Sequence, residues 1–245
     1  MAQAQAAILP KTETISVRNP FSGAPVGELC VNTPVEINAA VINAKAAARA
    51  FRFSTPATRR ALLNALAAEM ATDAENLARL VSSEMGKTIR EARNEIRRAQ
   101  NTLKLAGDAA TFLDGEALHC AVVEGGADRL ATVTYEPVGV VGAITPFNYP
   151  VNLLCHKLGP AIAAGNAVVA KPSPKAPLAA NRLCELARKA GWPEDLFQVV
   201  NGGAEAALAL ARAPIDLLSF TGGPAAGLAL KNASGLVRCL MELGG

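Results

Sequence analysis

Aromatic side chains are scarce: among 245 residues there are one Trp, two Tyr and seven Phe, and histidine occurs twice. Proteins that grip single-stranded nucleic acid stack bases on aromatic side chains along a basic track, and this sequence offers neither. Net charge is only +3, with Lys and Arg dispersed, so no nucleic-acid partner is expected. No stretch approaches the roughly 18 uninterrupted apolar residues of a membrane span, so no membrane association is expected. Residues 1–10 lack a basic segment, and their apolar run stops at Pro10, so they do not read as a secretory signal. The five cysteines, Cys30, Cys120, Cys155, Cys184 and Cys239, are odd in number, widely spaced and free of CxxC pairs. That argues against a disulfide framework and against a metal site, and a reducing cytoplasm is the simplest home.

What is present is an aliphatic, globular chain, 51% hydrophobic and 18% charged. Its organising stretch is residues 138–174. Residues 138–144 are short, β-branched and apolar, which fits a strand buried on both faces. A helix is expected over residues 152–164, stopped by Gly165-Asn166, and a second buried strand over 167–170. A strand–helix–strand unit of this length implies two parallel strands, and ligands bind beyond the carboxyl ends of such strands. The polar clusters 145–148 and 171–173 fall at those two ends.

Before this stretch, residues 1–14 read as a disordered tail, and 15–31 as a hairpin turning near 21–24. Thr33-Pro34-Val35-Glu36 carries a capping box, and helices are expected to begin there, at Thr55-Pro56, at Thr72-Asp73-Ala74-Glu75, which is expected to cap the third, and at Thr88. The last runs to residue 112, and its Glu91, Glu95 and Arg98 read as a solvated charged face. Residues 15–117 thus read as a largely helical block with no chemistry beyond walling off a site. Segments 118–124 and 129–136 alternate around Gly125-Gly126, which predicts an antiparallel hairpin. A lone ribbon is marginal, so it needs a partner surface.

After Lys171 the expected order is helix 177–190, strand 197–200, helix 204–212, strand 216–220, helix 224–233 and strand 237–242. Five strands alternating with helices make a Rossmann-like, doubly wound parallel α/β sheet over residues 137–245. The sequence stops directly after a strand and reads as cut, with an exposed sheet edge.

Several groups could carry chemistry. Phe220-Thr221-Gly222-Gly223 with Gly227 opens a helix after a strand; that pattern suits a pyrophosphate and equally a structural turn. Lys171 fits a ribose or phosphate donor, and also a solvated strand end. Asn148, in a Pro-Phe-Asn-Tyr-Pro turn, fits an oxyanion donor or an ordinary turn residue. Glu242 ends an apolar strand and fits a partly desolvated general base or a solvated terminus. His119 and His156 have no partner carboxylate in view, and no cysteine has an activating neighbour.

Taken together, Pro146-Phe147-Asn148-Tyr149-Pro150, Gly165-Asn166, Ala170-Lys171-Pro172-Ser173, Phe220-Thr221-Gly222-Gly223 with Gly227, and Glu242-Leu243-Gly244-Gly245 resemble the NAD(P)-dependent aldehyde dehydrogenase superfamily. The resemblance runs from about Ile15 to the last residue. It implies oxidation of a small aldehyde to a carboxylic acid with NAD or NADP as cofactor. Asn148 would hold the oxyanion and Glu242 would be the general base. Lys171 would hold the adenosine ribose, Gly222, Gly223 and Gly227 the pyrophosphate, and Ile144, Thr145, Pro146, Phe147, Ser173, Pro174, Gly202, Phe220, Thr221 and Leu243 would line the cofactor site. The hairpin 118–136 would serve assembly of a homo-oligomer.

Three departures from the family pattern shape these expectations. The family's nucleophilic cysteine lies beyond the Glu, and none of the five cysteines here matches it, so the chain reads as about half of a family member, without its catalytic domain. Pro174, followed by Lys175, stands where many NAD-preferring members carry Glu, which leaves NADP acceptable. Leu153 and His156 occupy the substrate tunnel side, where an aromatic residue is common; a His there points to a small polar aldehyde. The rival reading is a non-catalytic dinucleotide-binding or assembly module ending at Gly245. A third, an acyl-phosphate reductase, is opposed by Glu242.

Overall fold

The computed structural model describes residues 13–244. The tail expected over 1–14 lies outside them except for its last two residues, and Thr14 already belongs to a strand. Strands β1 (Thr14–Arg18) and β2 (Pro25–Cys30) form the expected hairpin. Four helices follow: α1 (Pro34–Phe51), α2 (Pro56–Thr72), α3 (Ala74–Met85) and α4 (Ile89–Ala109). Thr33 and Thr88 each close the capping box that their sequences encode, with Glu36 and Glu91 reaching back. Gly86 ends α3 in the left-handed region, where a Cβ would be strained.

Three expectations here are corrected. Asp73 stands at the N-cap of α3 without capping it, because its carboxylate is held by the Arg182 guanidinium at 2.8 and 3.0 Å. Helix α4 tightens into a 3-10 turn at Ala110–Phe112 instead of continuing as α-helix. The hairpin strands are β3 (Glu116–His119), shorter and earlier than 118–124, and β4 (Leu130–Val133), shorter than 129–136 and inside it. Cys120–Val122 turns as a 3-10 helix, and Gly126 N–H bonds Val123 O, so the apolar alternation runs on past the point where pairing stops.

The rest is the doubly wound sheet: β5 (Val140–Ile144), α5 (Pro150–Ala163), β6 (Ala167–Lys171), α6 (Leu178–Lys189), β7 (Phe197–Val199), α7 (Ala204–Arg212), β8 (Leu217–Thr221), α8 (Pro224–Ala233) and β9 (Arg238–Glu242). Helix α5 starts two residues earlier than expected, because Pro150 occupies the first turn, where its missing N–H costs nothing. All five strands are parallel, in the order β7-β6-β5-β8-β9. The chain builds outward from β5 to β7, then returns to lay β8 on the other side of β5. That reversal opens a crevice at the carboxyl ends of β5 and β8. Every residue of β5 and β6 is buried, as strands covered on both faces must be.

The N-terminal helices do more than wall off this sheet. Helix α6 has no side-chain cap of its own at Pro177. Its first N–H groups, those of Leu178 and Ala179, donate instead to the buried carboxylate of Glu84 on α3. Burial pushes the Glu84 carboxyl up to about 7 against the lowering effect of those two bonds. An unfolded chain releases that proton near pH 4.5, so between 4.5 and 7 the native state holds more proton and stability falls as pH rises. Glu84→Gln is expected to remove this part of the slope, read from urea midpoints at pH 5 and pH 7.

Candidate active site

Sheet register places the chemistry on one level. Ile144 at the end of β5 pairs with Lys171 on β6 and with Phe220 on β8, and Thr221 pairs with Glu242 on β9. The carboxyl ends of four strands are therefore aligned. Above them lies a largely apolar groove of about 370 Å³, lined by Ile144, Thr145, Pro146, Phe147, Lys171, Ser173, Pro174, Phe220, Thr221, Gly222 and Gly223 among others. Of the residues expected there, Gly202, Gly227 and Leu243 stand outside the lining. Gly202 gives its carbonyl to Lys171 while Gly203 faces the groove. Gly227 packs beneath, where a Cβ would lie 2.6 Å from the Leu243 side chain.

Lys171 is buried, not a solvated strand end. Its ammonium donates to Gly202 O at 3.0 Å and Gly203 O at 3.4 Å, and burial draws its pKa down to about 8. One of its three N–H donors is left to face the groove. Thr145 Oγ1 is buried and has no hydrogen-bond partner. Gly223 stands at the N-cap of α8, and a Cβ added there meets nothing within 4 Å. An unpartnered hydroxyl, a spare ammonium donor and an open helix N-terminus are three features that fit a phosphate- and ribose-bearing ligand. Between α7 and α8 the groove is walled by Ala204, Ala207, Leu208, Ala226, Ala229 and Leu230. Sequence reading missed these six; their one signal was the Ala- and Leu-rich face of each helix.

Asn148 lies exposed in the turn between β5 and α5. Its Oδ1 accepts from Tyr149 N–H at 3.2 Å, which fixes the amide so that Nδ2 is the free donor. Glu242, for which the sequence left open a partly desolvated base or a solvated terminus, is exposed at the end of β9, the sheet's edge strand. Its charge is felt by Lys157, which sequence reading also missed although it is the only lysine of the apolar helix α5. Lys157 is buried and donates to Ser219 Oγ at 3.0 Å. Burial lowers its pKa to about 8 and Glu242 opposes that shift. Leu153 is half-buried and His156 exposed. His156 joins Arg97, Arg98, Asn101 and Thr102 of α4 around a second hollow of about 450 Å³.

Glu95 was expected on a solvated face. It is 1% exposed, and its Oε1 accepts from Val151 N–H at 2.9 Å and Asn152 N–H at 3.2 Å. Among the cysteines, none lines the groove. Burial, with the Glu95 charge second, holds the Cys155 thiol far above its ordinary range, and burial likewise raises Cys184. No helix among the described residues is long and apolar enough to cross a membrane.

Comparison with known proteins agrees with this geometry. The model of the aldehyde dehydrogenase family matches residues 8–245. A 3-sulfolactaldehyde dehydrogenase of Priestia aryabhattai is 39% identical over 234 residues, covering 95% of this chain and 49% of that protein. An aspartate-semialdehyde dehydrogenase of Pseudomonas canavaninivorans is 40% identical over 232 residues, covering 94% and 49%. The crystal structure of an NADP-dependent glyceraldehyde-3-phosphate dehydrogenase from Bacillus halodurans, complexed with NADP, superposes with a TM-score of 0.92 at 35% identity. That match covers 95% of this chain and 50% of the other. The chain thus spans about half the length of the relatives it matches. By sequence and by fold, it belongs to the aldehyde dehydrogenase family.

Proposed function

We propose that this chain is the dinucleotide-binding part of an enzyme that oxidises a small aldehyde to its acid. The observation that carries the reading is the level register of Ile144, Lys171 and Phe220, which gathers Thr145 to Phe147, the residues leading into Asn148, with the buried ammonium and the glycine-opened helix around one groove. NAD or NADP, when bound, supplies the hydride acceptor. Lys171 donates to a ribose hydroxyl, the N-terminus of α8 at Gly222 and Gly223 faces the pyrophosphate, and the apolar slot between α7 and α8 takes a flat base. Asn148 Nδ2 donates to the oxyanion that forms when a thiolate adds to the aldehyde. Glu242 takes the proton from the hydrolytic water. We assign the thiolate to none of the five cysteines: none matches the family's nucleophile in its motif, and burial raises the Cys155 and Cys184 thiols.

The hollow lined by Arg97, Arg98 and His156 favours an aldehyde with an anionic tail, which accords with relatives named for sulfonated and carboxylated aldehydes. The ribbon of β3 and β4 exposes Leu118, Val122, Val123 and Leu130, which suits a homo-oligomeric contact. We place the enzyme in the cytoplasm, in keeping with its unpaired cysteines.

Cofactor choice is testable in this chain. Lys175 Nζ lies 4.6 Å above the Phe147 ring at the groove's rim, and the neighbouring Pro174 brings no carboxylate. NADP is therefore expected to bind within about tenfold of NAD. Pro174→Glu is expected to weaken NADP by about tenfold or more, through repulsion of the 2′-phosphate, and to leave NAD nearly unchanged. Calorimetric titration measures both. Failure of the wild-type chain to bind either nucleotide would overturn the reading.

A further inference from the structure

Helix α5 begins without a cap of its own, since Tyr149 offers no side-chain acceptor to the first turn. The cap comes from 54 residues upstream (149 against 95), where the buried Glu95 accepts from Val151 N–H and Asn152 N–H. Its other oxygen accepts from Lys87 Nζ at 2.8 Å, with 14% of the lysine side chain and none of the glutamate side chain exposed. The same ammonium donates to Asn148 O at 2.7 Å and lies 4.4 Å over the Tyr149 ring. Arg98, 5.9 Å from that ring, is the other cation facing the turn.

These contacts converge on one peptide unit. Its carbonyl, Asn148 O, is held by Lys87, and its N–H, that of Tyr149, is held by the Asn148 side-chain oxygen. A rotation of this peptide breaks both bonds at once. The peptide plane therefore decides where Asn148 Oδ1 is anchored, and with it the direction of Nδ2.

We propose that Lys87 and Glu95 are a positioning pair: they fix the Asn148–Tyr149 peptide and so aim the Asn148 amide before substrate arrives. The proposal rests on reading Asn148 as the oxyanion donor. It assigns to the helical block a role in the chemistry, although neither residue touches the reacting atoms. The gain is preorganisation, because a donor already aimed needs no reordering as charge develops.

The test is nuclear magnetic resonance of the 15N-labelled 245-residue chain, with the Asn148 side-chain amide assigned by its disappearance in Asn148→Ala. In the wild type, the two Nδ2 protons are expected at distinct, dispersed positions, with backbone order parameters near 0.85 at residues 147–149. Lys87→Met is expected to move the amide signals towards their unstructured positions and to lower those order parameters below about 0.6, while β5 and β6 signals stay in place. Lys87→Arg, which keeps the cation, is expected to restore them. If Lys87→Met fails to fold because it strands the Glu95 charge, Lys87→Met/Glu95→Gln is neutral on both sides and leaves the Asn148 carbonyl equally unheld. Unchanged amide signals and order parameters in the folded variant would overturn the proposal. A wild-type chain that binds no dinucleotide would instead sink the functional reading and leave the resonances to judge the pair.

Discussion

Glu95→Ala is expected to destabilise the chain by about 3–5 kcal/mol, the cost of breaking a buried ion pair from one side. The substitution removes the acceptor for two N–H groups at the start of α5 and strands the Lys87 ammonium. Each buried N–H left unpaired costs about 1–3 kcal/mol, and the carboxylate's favourable position at a helix N-terminus is lost as well. Against a typical total of about 5–15 kcal/mol, such a loss leaves the chain close to unfolding. Glu91→Ala on the same helix, an exposed capping-box residue, is the control and should cost about 1 kcal/mol. Urea denaturation of the two variants separates these values. Equal, small losses would mean that Glu95 is not holding the two layers together.

Gly223→Asp should move stability and cofactor affinity in opposite directions. Gly223 has φ −70° and ψ 150°, extended values open to any residue, and a Cβ there meets nothing within 4 Å. Aspartate is a good N-cap and its charge suits a helix N-terminus, so the fold should gain a few tenths of a kcal/mol. The same carboxylate fills the place proposed for the pyrophosphate and repels it. One pair of like charges 4 Å apart costs about 4 kcal/mol at an effective dielectric constant near 20. Affinity for NAD and NADP should therefore fall at least about 100-fold while the melting temperature holds or rises. Lost affinity together with lost stability would mean only a damaged fold. Unchanged affinity would mean that the pyrophosphate lies elsewhere.

Local signals were strong wherever glycine and proline punctuate the chain. Helices α7 and α8 begin after Gly203 and Gly223 and occupy the residues read from the sequence, 204–212 and 224–233. The fully buried strands β5 and β6 were legible because an aliphatic run too short for a helix, bounded by Pro or Gly, has few other destinations. Most of the groove was legible for the same reason, since its lining follows directly from strand ends.

What escaped were the long-range pairings. Glu95 sits in a run of charged residues at helical spacing, and nothing in that run sets it apart from its solvated neighbours. Its burial follows from α4 packing against α5, a contact no local pattern encodes. Lys171 looked solvated because a lysine at a strand end usually reaches water; here the Gly202–Gly203 carbonyls fold over it. The hairpin tip misled in the opposite sense, because alternation persists through Val122 and Val123 although the backbone has already turned. For Glu242 the sequence could not choose between a covered and a solvated carboxylate; it is exposed on the edge strand, where Leu240 is open too.

The most direct measurement is the 15N–1H spectrum of the chain with and without saturating NADP. A dinucleotide in the groove should shift the amides of Thr145, Lys171, Gly203 to Leu208 and Thr221 to Gly223. Those of Lys45, Arg49 and Arg52, which line a separate basic hollow at the opposite end of the sheet, should stay in place. A spectrum that does not change, or changes that gather at that basic hollow, would contradict the assignment of this groove as the cofactor site.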